Sequence, residues 1–434
     1  MLRTDSWPVQ ESSRAESAHT HLAAVLSSLF RDYDGPPFAV RLWDGWCWLS
    51  TASKPPACTL CLANAGALHS LLEASQLAVG EAFLHKDIDV EGDLFSAFAP
   101  AEHMLSHPAP LRERLLRRLT RGAASLTESL RHGPKYSERR DQDSIAYHYD
   151  QPVEFFRPWL GPTLVYSCAY FEQPDDSLDD AQKQKLELIC RKLRLQPSER
   201  FLDVGCGWGS LILHATAHHH VCADGITLSR SQESVTSQRI EDHSLKNTCR
   251  VRLIDYRRLD PAQNTYDKIA SVGMYEHVGL SNLPVYFDKM YRLLKPGGVF
   301  LNHGIARSPH STSRGNDSFI AKWVFPDGYL VTLTEAIAAA EDAGFEVRDV
   351  ENLREHYALT LRHWVRGLTA CRNVLLQSVP ELTYRIWLLY MAGCAAAFER
   401  GDIGVYQTLL SRPDRGRSGL PLTRRDWYSR NLLD

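Results

Sequence analysis

The spacing of apolar and polar residues predicts a regular alternation of strands and helices beyond residue 145. The short apolar runs RFLDVG, HVCADGIT, CRVRLIDY and VFLNHGIA have the character of buried strands, and segments such as LPVYFDKMYRLL have helical periodicity. Such alternation is typical of a mostly parallel α/β sheet with helices on both faces. The last ~75 residues are apolar at helical spacing and predict added helices.

The first 125 residues follow a different pattern. Apolar runs (PFAVRLWDGWCWLS, ACTLCLA) mix with a helical segment, HSLLEASQLAVGEAFLHKDI, which predicts a small α+β domain. The polar stretch RHGPKYSERRDQDS, with Gly, Pro and many charges, is typical of a domain boundary. We therefore predict an N-terminal accessory domain over residues 1–125, a linker over 126–144 and a catalytic domain over 145–434.

Composition narrows the class of protein. The net charge is −3, which argues against a dedicated nucleic-acid binder. Cys58 and Cys61 have no matching second pair, so no metal site is predicted, and scattered cysteines favour a reducing compartment. The polar start lacks a signal-peptide core, and no apolar run reaches the ~20 residues that span a bilayer. These features predict a cytoplasmic protein.

The strongest local motif is FLDVGCGWGS. Asp203 lies near the end of a strand, and Gly205, Gly207 and Gly209 form a tight turn into a helix, where a backbone can approach a ligand closely. The dinucleotide fingerprint GxGxxG fails, because its third position is Ser210. An acid two residues before GxGxG is the pattern of class I S-adenosylmethionine (SAM) methyltransferases, which places Asp203 at the amino acid end of SAM. A nucleotide cofactor or a purely structural turn are the alternatives.

Further blocks carry a specific resemblance. They are HYD at 148–150, YSCAYF at 166–171, LDVGCGWG at 202–209, GITLSRSQ at 225–232, DYR at 255–257, SVGMYEHVG at 271–279, LLKPGG at 293–298, HGIA at 303–306, FIAKWVFPDG at 319–328 and HYALTLRHW at 356–364. Together they resemble the cyclopropane-fatty-acyl-phospholipid synthases and the related mycolic acid cyclopropane synthases. Weaker N-terminal similarity in RLWDG and VGEAFLHKDIDVEGDL favours the phospholipid branch. One departure is Gln151-Pro152-Val153, where the family usually has a Gly-Asn pair.

The resemblance implies a class I SAM-methyltransferase fold and a SAM-binding set. In that set Tyr166 and Ser167 contact SAM from a lid segment, Gly205 and Gly207 line its methionine end, Thr227 and Gln232 face the ribose, and Asp255 and Tyr256 face the adenine. Asp224 is a rival ribose ligand, because an acid near the end of the second strand often has that role. Thr227 could instead cap a helix, with Gln232 as an exposed helix residue.

The resemblance also implies the reaction: a methylene carbon passes from SAM to the cis double bond of an unsaturated phospholipid acyl chain, and a bound bicarbonate acts as base. An alkene attacks a sulfonium methyl only when both are aligned in a dry site, and the resulting cation favours aromatic surroundings. The aromatic candidates are Tyr147, Tyr149, Phe155, Phe156, Tyr166, Tyr170 and Phe171.

In the family the bicarbonate is held by side chains that correspond to Cys168, Glu276, His303 and Tyr357, with the Ile305 backbone. We therefore expect Glu276 to be buried at a strand end in the cleft with a raised pKa. Each residue also has a simpler interpretation: a carboxylate at a helix start for Glu276, a core histidine for His303, a small buried apolar group for Cys168 and a packing residue for Tyr357.

A lipid substrate requires contact with the inner face of the membrane, and we expect this contact to be peripheral. Two basic segments are candidates, and each could equally be a solvated surface. They are Arg112, Arg114, Arg117, Arg118 and Arg121, beside Leu111, Leu115 and Leu119, and Arg412, Arg415, Arg417, Arg424 and Arg425. Family members commonly form oligomers, so a homodimer is a candidate assembly. Alternative functions are a fatty acyl methyltransferase with a methyl-branched or methylene product, a small-molecule N- or O-methyltransferase, and a non-catalytic SAM-binding lipid sensor.

Overall fold

The computed structural model describes residues 9–72, 75–106, 151–311, 319–325 and 330–428. The chain divides into two compact units between Ser125 and Leu126, with Asp317–Phe319 grouped with the first unit. The predicted linker at 126–144 lies outside the described residues, as does the basic segment at 111–121.

The first unit contains a four-stranded mixed sheet. Its strands are β1 Phe38–Arg41, β2 Cys47–Leu49, β3 Cys58–Leu62 and β4 Ile88–Gly92, in the order β2-β1-β3-β4. Its helices are α1 Val9–Leu29, α2 Ala65–Leu72, α3 Gln76–Leu84 and α4 Phe98–Ser106. The segment predicted as helical through Ile88 ends earlier than expected, because Ser75 caps a new helix and Ile88 begins β4. Phe38, Val40 and Leu60 belong to its apolar core.

The second unit contains a seven-stranded sheet in the order β10-β11-β9-β8-β5-β6-β7. Its strands are β5 Arg200–Val204, β6 Cys222–Thr227, β7 Cys249–Leu253, β8 Tyr266–Val272, β9 Leu294–Arg307, β10 Glu346–Asn352 and β11 Ile403–Ser411. The five strands β9, β8, β5, β6 and β7 are parallel to one another. Strand β11 is antiparallel to both of its neighbours, β9 and β10.

The helices from residue 151 onward surround this sheet or extend the unit. They are α5 Val153–Leu160, α6 Leu178–Leu193, α7 Ser210–His219, α8 Arg230–Asp242, α9 Leu283–Leu293, α10 Phe319–Trp323, α11 Leu333–Asp342, α12 Arg354–Ala370, α13 Arg372–Leu375, α14 Glu381–Arg400 and α15 Arg425–Tyr428. Short 3₁₀ turns follow two of the strands, at Tyr256–Arg258 and Tyr275–His277.

Both faces of the large sheet are buried, because successive residues of a strand point to opposite sides. Leu202 and Phe300 belong to one apolar cluster, whereas their neighbours Phe201 and Leu301 belong to the other. A mostly parallel sheet buried on both faces, together with a smaller N-terminal unit in the same chain, confirms the predicted fold class.

The C-terminal strand of the large sheet was not predicted. The last part of the chain is helical over α12 and α14, as expected, but Ile403–Ser411 forms strand β11 between β9 and β10. The run GVYQTLL is short and buried, and hydrophobic periodicity does not distinguish such a run from a piece of buried helix. This strand places Gln407 directly opposite His303.

The strand order positions the functional site. The chain moves outward from β5 in one direction to β6 and β7, and in the other direction to β8 and β9. Where the order reverses, the loops at the carboxyl ends of the strands separate and leave a crevice. We therefore expect the ligand of this fold to bind beside the ends of β5 and β8.

Candidate cofactor and catalytic site

A cleft opens at this switch point, with about 1210 Å³ of empty space counted out to its open mouth. Every residue that we predicted to bind SAM contributes to its lining. These residues are Tyr166, Ser167, Asp203, Gly205, Gly207, Thr227, Gln232, Asp255 and Tyr256. They come from segments that are far apart in sequence, and the sheet brings them together because parallel strands end at the same edge.

Asp203 is a buried residue of the cleft whose carboxylate can accept a further hydrogen bond. It is 3% exposed, and its Oδ1 atom has no hydrogen-bond partner. Burial raises the pKa of this carboxyl to about 7, while the positive charge of Lys185 opposes that rise. A buried carboxylate oxygen without a partner is costly, so the site favours a cationic hydrogen-bond donor. The ammonium group of SAM has that chemistry.

The glycine turn shapes the floor of the cleft. Gly205, Gly207 and Gly209 all have positive φ, at +83°, +54° and +83°. A Cβ atom on Gly207 would have nothing within 4 Å, so the space that it faces is open to a ligand. A Cβ atom on Gly209 would lie 2.4 Å from Cγ2 of Thr236, on the neighbouring helix α8. Gly207 therefore leaves room for the cofactor, and Gly209 allows helix α8 to pack.

These two glycines give a matched prediction. We expect Gly209→Ala to lower the free energy of unfolding by about 2 kcal/mol or more, because strain at positive φ adds to the clash with Thr236. Gly207→Ala carries only the backbone strain and should lower it by less, about 1 kcal/mol. Urea midpoints of the two variants test this order. Equal midpoints would show that the clash is relieved at no cost.

The ribose and adenine candidates are held by local hydrogen bonds. Thr227 Oγ1 donates to Gln232 Oε1 at 2.7 Å and accepts from Ser229 N at 3.2 Å. The helix cap is Ser229 rather than Thr227, and Gln232 is buried, so the alternative interpretation of this pair is wrong. Asp255 caps the 3₁₀ turn. Its carboxylate accepts hydrogen bonds from the backbone N–H and from the guanidinium of Arg257.

Asp224, the rival ribose ligand, is in the middle of β6 and is not among the described residues that line the cleft. Its carboxylate accepts hydrogen bonds from Arg250 Nε at 2.5 Å and from Tyr266 Oη at 2.7 Å. The residue at the carboxyl end of β6 is Thr227. The polar groups of Asp224 are therefore satisfied within the fold, and Thr227 occupies the position that faces the cleft.

An aromatic cluster borders the Tyr166 side of the cleft. Tyr166 packs against Trp364, with ring centroids 5.1 Å apart, and against Trp387 at 5.6 Å. Phe156 contacts Trp208, a cleft-lining residue, at 4.7 Å. The cluster also includes Phe155 and Trp159. Its tryptophans were missed in the sequence because they are scattered over more than 200 positions.

The other aromatic candidates lie elsewhere or are not described. Tyr170 stacks on His356, with centroids 4.7 Å apart, and Phe171 stacks on His363 at 5.6 Å. Tyr147 and Tyr149 are outside the described residues. Of the predicted aromatic set, Phe155, Phe156 and Tyr166 therefore form one apolar group.

Glu276 lies in the 3₁₀ turn that follows β8. Its Oε1 accepts a hydrogen bond from Ile305 N at 2.8 Å, and its Oε2 is buried without a partner. Although the residue is partly exposed as a whole, burial of the carboxyl raises its pKa to about 7. The pKa is raised as expected, but Glu276 as a whole is only partly buried and is not among the described residues that line the cleft. The carboxylate lies beside the cleft, whose lining includes its neighbours Met274 and His277.

His303 lies on β9, opposite Val272 on β8, and is almost fully buried. Its Nδ1 is 3.2 Å from Nε2 of Gln407, and its own Nε2 has no partner. Burial, assisted by the charges of Lys185 and Lys192, lowers the pKa of this imidazole to about 3. The ring is therefore neutral at physiological pH.

Cys168 and Tyr357 share one neighbour, the carbonyl of Leu353, and the Tyr357 ring packs against Phe398 with centroids 4.7 Å apart. The Cys168 thiol lies 3.8 Å from that oxygen, and the Tyr357 backbone N–H donates to it at 3.0 Å. Leu353 N donates to Val405, which pairs with Ile305 across β11 and β9. Burial raises the pKa of the Cys168 thiol far above its usual range, so it is a neutral donor.

The Ile305 backbone, which the family resemblance places against bicarbonate, makes two hydrogen bonds within the protein. Its N–H donates to Glu276, and its carbonyl accepts from Tyr275 Oη at 2.9 Å. Both backbone groups thus already have partners within the protein. The Ile305 N–H holds the Glu276 carboxylate, whereas its carbonyl keeps a second lone pair, so contact of this backbone with an anion stays a prediction.

Lys185 was missed in the sequence. It is buried, lines the cleft, and donates from Nζ to Ser167 Oγ at 3.0 Å. Burial lowers its pKa to about 8, and its charge acts on Cys168, Asp203 and His303. The charge of Lys185, a cleft-lining residue, therefore influences the pKa values of Cys168 and His303 as well as that of Asp203. The available signal was a polar pair, Gln182 and Lys185, on the apolar face of helix α6.

Within the described residues, one group has the spacing of metal ligands: Cys190, His214 and His219, whose ligand atoms lie within 4.8 Å of one another. Both imidazole Nε2 atoms lie 3.1 Å from Oε2 of Glu187, which also accepts from Arg191. Hydrogen bonds to Glu187 account for this cluster as a link between α6 and α7. The absence of a metal stays a prediction.

Comparison with known proteins decides the family. Residues 136–408 match the family described as mycolic acid cyclopropane synthetase. The chain belongs to this family. The predicted family and enzyme class, a SAM-dependent methyltransferase related to cyclopropane synthases, are therefore confirmed. Residues 25–102 match a domain of unknown function.

Relatives of this family cover different parts of the chain. A probable fatty acid methyltransferase of Pseudomonas putida is 37% identical over 90% of this chain and 96% of its own length. The cyclopropane-fatty-acyl-phospholipid synthase of Escherichia coli K12 is 36% identical over 61% of this chain and 66% of its own length. Among solved structures, mycolic acid cyclopropane synthase CmaA1 complexed with SAH and CTAB has a TM-score of 0.59 and 34% identity, over 62% of this chain and 97% of CmaA1.

Two observations bear on the membrane. Among the residues that the structure covers, none of the helices has both the length and the apolar character to cross a bilayer. Of the C-terminal arginines, Arg412 donates to the carbonyls of Tyr291 and Leu294, and Arg424 forms an ion pair with Asp349. Arg415, Arg417 and Arg425 are exposed.

Proposed function

We propose that this protein transfers a methylene carbon from SAM to the cis double bond of an unsaturated phospholipid acyl chain and forms a cyclopropane ring. One observation carries the proposal: the cleft lined by the whole predicted SAM-binding set is bordered by Val272 and Met274, next to Glu276 and His303, each of which keeps a buried polar atom without a partner. This combination suits a reaction that needs both a methyl donor and an anion.

The cleft fits SAM on its own geometry. Asp203 offers a buried acceptor to the ammonium group, and Gly207 leaves open space for the methionine end. When bound, SAM supplies an electrophilic methyl group. The aromatic cluster around Tyr166 excludes water from that side and presents π faces to positive charge.

The catalytic group fits a small oxoanion, which we propose to be bicarbonate held by Cys168, Glu276, His303 and Tyr357. Glu276 Oε2 and His303 Nε2 are the unpartnered atoms, and the Lys185 charge favours an anion nearby. When bound, bicarbonate would supply the base, because burial lowers the pKa of His303 to about 3 and leaves its neutral imidazole a weak base. Above a pH of about 7 the Glu276 carboxylate is charged and would accept a hydrogen bond from the bicarbonate O–H. His303 would donate to the same anion from Nε2.

A second candidate product is suggested by the relative in Pseudomonas putida. This relative is named a probable fatty acid methyltransferase, and its similarity extends over 90% of this chain. The same cleft and the same acyl chain would then give a methyl-branched or methylene product. The two proposals differ only in the fate of the cation. Loss of a proton from the new methyl group closes the ring, whereas a hydride shift from the methylated carbon before that proton loss leaves a methylene group. A saturated methyl branch would additionally need an external hydride donor.

We propose further that the N-terminal unit is an accessory lipid-binding domain and that the enzyme is cytoplasmic and binds the inner face of the membrane peripherally. Arg415 and Arg417 are exposed and basic, as contact with anionic head groups requires. Arg412 is engaged within the fold and is no longer a candidate. A homodimer stays a prediction.

The test is expression of the full chain in a bacterial host that lacks cyclopropane lipids, followed by mass spectrometry of its fatty acid methyl esters. We expect acyl chains one CH₂ heavier, with a cyclopropane ring at the original double bond. A methyl-branched or methylene product would favour the second candidate. The Asp203→Asn variant, in which SAM binding should be weaker, is the control and should make less of the same product. No lipid product, with SAM binding intact, would reject both candidates.

A further inference from the structure

A chain of three buried polar side chains ends at the catalytic histidine. Lys192 Nζ on α6 lies 2.7 Å from Oε1 of Gln407 on β11, and Nε2 of the same amide lies 3.2 Å from Nδ1 of His303 on β9. All three residues are almost fully buried. Water therefore does not compete for these hydrogen bonds, and each must have a donor and an acceptor.

The direction of the chain follows from the chemistry of its first member. An ammonium group only donates, so the amide atom that faces Lys192 is the carbonyl oxygen. The other end of the Gln407 amide is then the NH₂ group, which also only donates. Nδ1 of His303 must accept this hydrogen bond and carries no proton. In a neutral imidazole, the single proton then resides on Nε2.

We propose that Gln407 and Lys192 are positioning residues, which hold His303 in the Nε2–H tautomer so that it donates a hydrogen bond to an oxoanion in the catalytic group. His303 Nε2 is buried and has no partner among the described residues, so its N–H is available to a ligand. The inference rests on the proposed function only for the identity of the anion.

The chain is anchored at both ends. Gln407 is paired directly opposite His303 in the register of β11 and β9, so the sheet holds their Cα atoms side by side. Lys192 is held by the carboxylate of Glu351 on β10 and lies 5.6 Å from the ring centroid of Trp427. Breaking a buried hydrogen-bonded cation from its partners is costly, so the carbonyl end of Gln407 stays fixed.

The critical variant is Gln407→Glu. Its carboxylate still accepts from Lys192, but it offers His303 an acceptor where the amide offered a donor. The imidazole proton should then move to Nδ1, and Nε2 becomes an acceptor that repels an anion. We expect kcat to fall on the order of 100-fold with the Kd for SAM unchanged, as for loss of one preorganised donor.

The tautomer is read directly by ¹⁵N NMR on the full chain with ¹⁵N-histidine, assigned through the His303→Gln spectrum. The wild type should show an unprotonated Nδ1, Gln407→Glu an unprotonated Nε2, and Gln407→Met a mixture. Titration with bicarbonate should shift the Nε2–H signal of the wild type only. Gln377→Glu makes the same chemical change at an exposed position and should alter neither the spectrum nor kcat.

The outcomes separate the two proposals. A wild type with its proton on Nδ1, or a Gln407→Glu variant that keeps the wild-type tautomer and rate, would overturn the positioning role. If Gln407→Glu fails to fold, Gln407→Met must still change the tautomer populations, or the inference fails. If the tautomer switch occurs but the wild type makes no cyclopropane lipid, the proposed function fails alone.

Discussion

Replacement of Glu276 by Gln is expected to lower kcat about 10³-fold while leaving the Kd for SAM within a factor of about three, as for removal of a positioned acid–base group. The amide has the same shape and can still accept from Ile305 N through its oxygen. At the Oε2 position, however, it would present NH₂ donors to the anion in place of an acceptor.

The measurement combines the rate of cyclopropane formation with calorimetric titration of SAM. Glu341→Gln is the matched control, because Glu341 is exposed on α11 and should leave both quantities unchanged. Turnover retained in Glu276→Gln, or in Glu276→Ala, would remove Glu276 from the catalytic group. Loss of SAM binding along with turnover would instead place it in the cofactor site.

The same variant has a consequence for stability. The carboxyl of Glu276 has its ordinary pKa of 4.5 when unfolded and a pKa of about 7 when folded, because burial disfavours its charge. The folded state therefore binds more protons between these values, and the stability present below pH 4.5 is lost as pH rises through 7. The amide in the Glu276→Gln variant does not titrate, so the variant should gain on the wild type by about 2 kcal/mol between about pH 5.5 and 8. Urea midpoints of both proteins across this range check the gain, and a constant difference would contradict it.

The second large effect is expected for Asp203→Asn, which should raise the Kd for SAM about 10- to 100-fold. A hydrogen bond to a charged group is worth about 1.5–3 kcal/mol, and an amide keeps the shape of the side chain but not its charge. Because the pKa of Asp203 is raised to about 7, the wild type should also bind SAM more tightly as pH rises through 7, and the variant should lose this dependence.

Calorimetric titration of SAM over that pH range tests both parts. Asp288→Asn is the matched control, because Asp288 is exposed on α9 and far in sequence from the glycine turn. A Kd that is unchanged in Asp203→Asn would show that the carboxylate does not contact the ammonium group. A pH dependence that persists in the variant would assign the titration to another group, with Lys185 the first candidate, since its pKa is lowered to about 8.

Local patterns predicted the parts of this protein that depend on neighbouring residues. The strands RFLDVG and VFLNHGIA, the glycine turn after Asp203 and the helix LPVYFDKMYRLL all form where their hydrophobic periodicity placed them. The SAM-binding set also lines one cleft as expected: most of its members follow strand ends, which meet at one edge, and Tyr166 and Ser167 reach the same cleft from the segment between α5 and α6.

Tertiary structure alone decided the contacts between residues that are distant in sequence. Strand β11 inserts between β9 and β10 and places Gln407 beside His303, 104 positions away, while Lys192 reaches the same amide from 215 positions away. Lys185 becomes a cleft residue only when α6 packs beside the sheet, and the Ile305 N–H goes to Glu276 only when β9 lies next to the turn after β8. Periodicity reports which face of an element is buried, whereas the direction of a hydrogen bond depends on which group stands opposite it in the folded chain.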